Sequence, residues 1–378
     1  MAGLYIHIPF CKQACYYCDF HFSTQQSQRS DLIKLIAREL ELQHDYLQGE
    51  ILETLYFGGG TPSLLTPAEL DVLFTTIHKH FSVAQTAEVT LEANPDDLTP
   101  EKLAMLRLAG INRLSIGIQS FDEEILRFLN RAHSPGQAHE SVAHARHAGF
   151  HNINIDLIHS IPGQDDHLLM KNLEVALSLS PEHISAYSLT IEEKTVFGRW
   201  NSRGKLKPVG EEQAARQFEL VMDTLTARGY RHYEVSNFCL PGYESKHNTS
   251  YWQQKYYLGV GPSAHSFNGV SRQFTISNNQ LYAKALSADK IPFEREILTR
   301  EDKINEYLFT SLRLDTGCSL SQLKHHYDYD LQQEQGPYLI RLFDQQLATL
   351  ENDRLILTRA GKLLADQISS ELFILNKK

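Results

Sequence analysis

No segment of this 378-residue chain approaches the ~20 apolar residues that a membrane-spanning helix needs. Nor does the sequence start with a basic stretch followed by an apolar core, so a secretory leader is not expected. The chain reads as cytoplasmic, with peripheral attachment at the inner face of a membrane left open. Basic charge is scarce too. Lys and Arg number 36 against 46 Asp and Glu, a net charge of −10, which argues against a broad nucleic-acid-binding surface. There are only five cysteines, three of them between positions 11 and 18. An odd, clustered set without a leader does not suit a disulfide framework and suggests reduced thiols that hold a metal. Internal repeats and low-complexity tracts are absent.

What is present is an ordinary globular composition, 42% hydrophobic and 22% charged, in a chain long enough for a large catalytic domain and a smaller one. Short β-rich runs recur at Leu4 to Ile8, Thr54 to Phe57, Glu88 to Glu92, Arg113 to Ile118, Ile153 to Ile158 and His183 to Leu189. Amphipathic helical patterns fill the gaps, near 29–47, 67–81, 100–109, 135–148, 167–179 and 210–228. Strand alternating with helix implies right-handed βαβ units and a parallel sheet. Six units fall short of the eight of a closed barrel, so the expected class is α/β, an incomplete (β/α)6 TIM-like barrel or a doubly wound sheet. Thr66-Pro67 and Thr99-Pro100 mark helix starts, with Glu69 and Glu101 behind them. Expected boundaries are 1–232 for the partial barrel, 233–298 for a linker region with extra strands at Val235 to Phe238 and Tyr256 to Val260, and 299–378 for a winged-helix-like domain. That last part reads as an apolar helix (Leu339 to Leu350), a hairpin (Asn352 to Leu357) and a final helix (Ala360 to Phe373).

Polar residues concentrate where these strands end. That edge is where parallel α/β folds bind ligands. The first strand runs into Cys11-Lys-Gln-Ala-Cys15-Tyr-Tyr-Cys18. Three thiolates at this spacing can converge on one inorganic core. On a 4Fe–4S cube they leave one iron free for an outside chelator. A zinc site completed by His7 or His21, or free thiols, stays open on spacing alone. After the second strand comes Gly58-Gly59-Gly60-Thr61-Pro62, whose glycines admit positive φ and close backbone approach. Glu92, Gln119, Arg131 and Asp156 follow at or near later strand ends. A carboxylate there can accept from ribose hydroxyls, and an arginine can pair with a carboxylate.

Taken together, these motifs resemble the radical S-adenosylmethionine superfamily, whose signature is Cys-x3-Cys-x2-Cys. Within it, Tyr5-Ile-His-Ile-Pro-Phe-Cys11, Phe57-Gly-Gly-Gly-Thr-Pro62, Glu92-Ala-Asn-Pro95, Gly110 to Gln119, Asn154 to Ile158 and Ile161-Pro-Gly163 look like the oxygen-independent coproporphyrinogen III oxidases and their haem-chaperone relatives. The resemblance implies a radical SAM-type barrel with a 4Fe–4S cluster on Cys11, Cys15 and Cys18. It also implies S-adenosylmethionine contacts at Tyr5, Tyr17, Gly59, Gly60, Thr61, Glu92, Gln119, Arg131 and Asp156.

Two departures favour the chaperone branch. The oxidases carry a fourth cysteine where this chain has Phe20, and they have an N-terminal extension where only ten residues precede Cys11. His247-Asn-Thr-Ser-Tyr251-Trp252 resembles a motif of the chaperone branch. The expected function is then haem carriage to acceptor haem proteins such as respiratory cytochromes, some of them membrane-associated, with a homodimer possible and nucleic acid excluded. His247 is the expected iron donor, with Tyr251 and Trp252 stacking on the macrocycle; His265 and Cys239 are secondary candidates. The alternative is radical oxidative decarboxylation of coproporphyrinogen III to protoporphyrinogen IX, in which the cofactor carries the chemistry. No catalytic residue is assigned.

Overall fold

The computed structural model describes residues 2–374; the ends of the first and third expected segments, residue 1 and residues 375–378, lie outside the described residues. Six strands lie parallel and adjacent in chain order: β1 (Ala2–Ile8), β2 (Leu52–Gly59), β3 (Val83–Ala93), β4 (Arg113–Gln119), β5 (Ile153–His159) and β6 (His183–Ser188). Between and after them run α1 (Arg29–Leu42), α2 (Pro67–His80), α3 (Pro100–Leu108), α4 (Glu123–Phe128), α5 (Pro135–His147), α6 (Asp166–Ser178), α7 (Val196–Ser202) and α8 (Glu211–Ala227). The helix starts follow from local chemistry. Thr66 and Glu69 form a capping box at α2, Thr99 accepts from the Lys102 N–H at α3, and each has proline in its first turn. Strand side chains such as Leu4, Ile6, Leu91, Leu114, Ile116, Ile153 and Ile155 are fully buried in one core with helix residues Ile36, Leu73, Leu103 and Leu173.

Both edges of this sheet are extended. At the β6 edge, β7 (Arg231–Glu234) and β8 (Asn237–Cys239) form a hairpin, antiparallel to β6 through β8. The expected strand from Val235 is shifted. Val235 and Ser236 form the turn, which Glu234 braces by accepting the Ser236 N–H at 2.9 Å. The chain then crosses through α9 (Lys246–Trp252) to the opposite edge. There β9 (Tyr257–Val260) pairs parallel to β1, followed by antiparallel β10 (His265–Phe267), β11 (Ser271–Thr275) and, after α10 (Asn279–Leu286), β12 (Phe293–Ile297). The resulting sheet has twelve strands, and the stretch read as a linker is hydrogen-bonded into both of its edges.

The last part has its own core. It comprises α11 (Arg300–Ser311), β13 (Cys318–Ser319), α12 (Leu320–Tyr327), α13 (Leu331–Asp344), β14 (Ala348–Glu351), β15 (Arg354–Leu357), α14 (Arg359–Leu363) and α15 (Ala365–Glu371), with the strands antiparallel in the order β13-β15-β14. The apolar helix expected from Leu339 to Leu350 instead ends at Asp344, because Ala348–Glu351 pairs with Arg354–Leu357 across Asn352 and Asp353. Both turn residues have positive φ (48° and 67°), a conformation that Asn and Asp adopt more readily than most residues. Among the described residues, no helix is long and apolar enough to cross a membrane.

One buried carboxyl ties α1 to the far edge. Glu39 accepts from the Gly261 N–H (2.8 Å), the Tyr282 hydroxyl (2.5 Å) and the Gln43 amide (2.8 Å). Burial outweighs these three donors and raises its pKa to about 7. Folding therefore takes up a proton between the ordinary carboxylate range and about pH 7. The stabilisation is complete below that window and is lost as pH rises through it. Urea unfolding at about pH 5 and pH 8 should show the wild type losing up to ~3 kcal/mol more than Glu39→Gln over the interval. Parallel stability curves would contradict the placement.

Candidate functional site

The loop after β1 is closed at its neck and laced to the barrel. Cys11 N–H donates to Ser23 O (3.0 Å) and Ser23 N–H to Pro9 O (2.9 Å). Further along, Tyr16 N–H donates to Leu129 O (3.1 Å), and the Tyr16 carbonyl oxygen accepts from Phe197 N–H (3.0 Å). Asn130, at φ 57°, donates its side-chain amide to Ala14 O at 2.7 Å. Lys12 pairs with Asp96 at 2.8 Å and with Asp97. Tyr16 also packs edge-on against Trp200, with ring centroids 5.2 Å apart. Cys11 is thereby buried, and Cys15 and Cys18 are half-buried.

Arg131 is the fixed cation at this loop. One of its terminal nitrogens (Nη1) lies 3.2 Å from Cys15 Sγ and 3.5 Å from the Tyr17 hydroxyl. The other (Nη2) donates to Asn94 Oδ1 and to Gly117 O, both at 2.6 Å. Its Nε is buried without a partner among the described residues. Burial pushes the Cys11 thiol up to about 11 and Cys18 to about 12, so without metal both are protonated, and a bound metal must displace those protons. Among the described residues, no three His, Cys, Asp or Glu side chains converge as they do around a single ion. Three thiols on one loop beside the Arg131 cation are a donor set that fits an anionic iron–sulfur core.

The glycine segment lies against this loop. Gly59 has φ 105°, and a Cβ on Gly60 would stand 2.7 Å from the Phe10 carbonyl oxygen and 2.9 Å from that of Ile8. The chain here admits only glycine without a backbone shift. Gly59 N–H donates to Glu92 at 3.2 Å, and the Tyr56 hydroxyl donates to the same carboxyl at 2.8 Å. Burial lifts Glu92 to about 7. Thr61 is buried and accepts from the Asn94 amide at 3.3 Å. Gln119 closes β4 at φ 68°, and its amide and the Arg131 guanidinium flank Gly117. Asp156 accepts from Asn154 (2.7 Å) and Ser115 (3.4 Å), and burial raises its pKa. The Tyr5 hydroxyl sits 3.1 Å from His7 Nδ1. Tyr17, Arg131, Gly59 and Glu92 are thus joined to neighbours at the strand ends, while Asp156 and Tyr5 make no direct bond to them.

Sequence reasoning missed Asn94, Asn130 and Arg113. Asn94 lies inside the quoted Glu-Ala-Asn-Pro motif without an assigned role. Arg113, 1% exposed, begins a strand whose interior, Leu114 to Ile118, is apolar or small, and that isolated charge was the available signal; its Nε and Nη2 lack partners among the described residues.

Beside the cysteine loop lies a cavity of about 800 Å3, walled by β1, residues 19–21, α9, the β9–β12 edge and α11. Tyr251, Trp252 and His265 line it. His247 does not. It is 1% exposed, and both ring nitrogens are hydrogen-bonded, to Thr54 Oγ1 and to the Tyr251 hydroxyl, each at 2.7 Å. Cys239 is fully buried within β8, away from the cavity, and burial raises its thiol to about 12.

Residues 5–176 match the profile of the radical SAM superfamily, and residues 298–364 that of the HemN C-terminal domain. The chain is 37% identical to heme chaperone HemW of Bacillus subtilis, over 97% of this chain and 98% of that one. It is 35% identical to heme chaperone HemW of Lactococcus lactis, over 98% and 97%. With heme chaperone HemW of Escherichia coli it shares 39% over 70% and 69%. Among solved structures, coproporphyrinogen III oxidase (HemN) from Escherichia coli, a radical SAM enzyme, aligns with TM-score 0.86 over 98% of this chain and 90% of that one. At 24% identity that likeness shows the shared fold: a central parallel sheet with a separate C-terminal domain. Similarity to curated relatives along nearly the whole chain establishes that this protein belongs to the HemW family of the radical SAM superfamily.

Proposed function

We propose that this chain binds haem in the cavity beside its cysteine loop and delivers it to acceptor haem proteins. The observation that carries this reading is the cavity itself. About 800 Å3 lies within the ~300–1,000 Å3 range of small-molecule and cofactor sites. Its aromatic lining, Tyr5, Phe20, Tyr251, Trp252, Tyr257 and Phe309, suits a flat macrocycle. Phe20, at the position of the oxidases' fourth cysteine, is exposed at this wall. Arg272 is the one Lys or Arg among the described lining residues, and it is already paired with Glu306 at 2.6 Å. Haem propionates are therefore left largely to water, as suits cargo that must be released.

In this reading Cys11, Cys15 and Cys18 hold a 4Fe–4S cluster, and the Gly58–Thr61 segment, Glu92, Gln119, Arg131, Asp156, Tyr5 and Tyr17 hold S-adenosylmethionine. The donor set fits. Arg131 compensates sulfur charge and can pair with the methionine carboxylate, Gly59 and Gly60 let the backbone approach, and the carboxyls accept from hydroxyls and amine. A cluster held by these three cysteines would supply reducing electrons at the site. The protein's own contribution is to orient these groups and to exclude water with Tyr16 and Tyr17.

Ferric haem titrated into the purified protein should give a saturating Soret shift, and added apo-haem protein should take that haem up. Absence of binding would reject the reading. So would formation of protoporphyrinogen IX when the anaerobically reconstituted protein is given coproporphyrinogen III and a reductant. Cys15→Ser should lose the brown cluster absorbance and its iron while the far-ultraviolet circular dichroism stays unchanged. Full iron content in that variant would contradict the ligand assignment.

A further inference from the structure

The motif His247-Asn-Thr-Ser-Tyr251-Trp252 lies within the single short helix α9. Residues four apart on a helix lie on one face, so the His247 and Tyr251 rings meet edge-on, and the Tyr251 hydroxyl meets His247 Nε2 at 2.7 Å. The pair has an inside and an outside. His247 is 1% exposed, with its other nitrogen 2.7 Å from Thr54 Oγ1, whereas Tyr251 is half-buried and lines the cavity. Tyr251 is therefore the member of the pair at the cavity, and the imidazole stands behind it.

Building on the haem reading, we propose that Tyr251, as phenolate, is the axial ligand of ferric haem, with His247 the residue that positions it and relays its proton. A phenolate is a hard, anionic oxygen donor suited to Fe(III), and tyrosine is one of the residue types that hold haem iron. The step balances without a redox partner. The Tyr251 O–H bond breaks, an Fe–O bond forms, and an axial water or hydroxide leaves an iron that stays ferric. The phenolic proton passes to His247 Nε2, and the Nδ1 proton leaves through the Thr54 hydroxyl. The imidazole ends neutral in its other tautomer, donating from Nε2 to the phenolate and accepting at Nδ1 from Thr54. A threonine hydroxyl serves both states because it donates and accepts. Thr54 also borders a second cavity of about 280 Å3, which gives the proton a way out.

The other cavity histidines have no comparable support. His7 is bonded at both nitrogens, to the Tyr5 hydroxyl (3.1 Å) and to His21 O (2.9 Å). His21 Nε2 meets Asn279 Oδ1 at 2.7 Å. His265 is exposed, and its ring has no hydrogen-bond partner among the described residues, only an edge contact with Phe274. It is the rival ligand, but nothing behind it fixes its orientation, whereas Tyr251 is backed by His247 and Thr54.

Resonance Raman of the full-length protein loaded with ferric haem separates the two. Tyrosinate ring modes and an Fe–O(phenolate) stretch are expected in the wild type and in His265→Ala. Tyr251→Phe should lose them and bind haem at least about tenfold more weakly. His247→Gln should retain the tyrosinate modes with a shifted Fe–O frequency. The wild-type spectrum decides even where a variant folds poorly. Wild-type haem bound without tyrosinate modes would overturn the ligand while leaving haem carriage intact, and an unchanged spectrum in Tyr251→Phe would do the same. A wild type that binds no haem would remove both.

Discussion

The guanidinium of Arg131 reaches partners from three segments that are far apart in the chain: Cys15 and Tyr17 in the cysteine loop, Asn94 after β3, and the Gly117 carbonyl within β4. A charge this deeply surrounded is tolerated only where acceptors satisfy it, and here they come from the elements that must converge to make a site. The loop after β1 has little secondary structure of its own. It takes its shape from what it is tied to, namely Arg131, Asn130 and the backbone of Leu129 and Phe197. The cysteine spacing supplies the sulfurs, and the 129–131 segment decides where they stand.

A second consequence is adjacency. Asp19, Phe20 and His21 follow Cys18 directly and line the large cavity, so one loop carries the sulfurs on one side and a cargo wall on the other. The remaining walls come from the return of the chain to the β1 edge and from α11 of the C-terminal part. Neither the barrel nor the smaller core makes this cavity alone. In this chain the three clustered cysteines and an aromatic cavity wall thus share one loop.

Much of this was legible in the residues. The six parallel strands lie where the β-rich runs are, and some of those runs are bounded by a capped helix start or a glycine turn, as at Thr66-Pro67 and Gly58–Gly60. The sulfur spacing and the strand-end carboxyls could be read because the side of a parallel sheet that binds ligands is known in advance. What could not be read depends on contacts between distant segments. Tyr257–Val260 was recognisable as a strand, but its place beside β1 rests on pairing across some 250 residues of chain. The fate of Ala348–Glu351 was set by two left-handed turn residues rather than by its own apolar pattern. His247 is the most instructive case. The motif directed attention to the imidazole, while the four-residue spacing already put it on the same helix face as Tyr251, where the two share a hydrogen bond.

The dependence of the cysteine loop on Arg131 can be measured without any cofactor. Amide hydrogen exchange in cluster-free protein reports the opening of backbone hydrogen bonds locally. Arg131→Met should speed exchange at Tyr16 and Cys18 while leaving β2, β4 and β5 at wild-type protection. Unchanged protection in the loop would contradict the claim that Arg131 is one of the ties that set its shape, and loss of protection throughout the sheet would show that Arg131 supports the whole barrel instead.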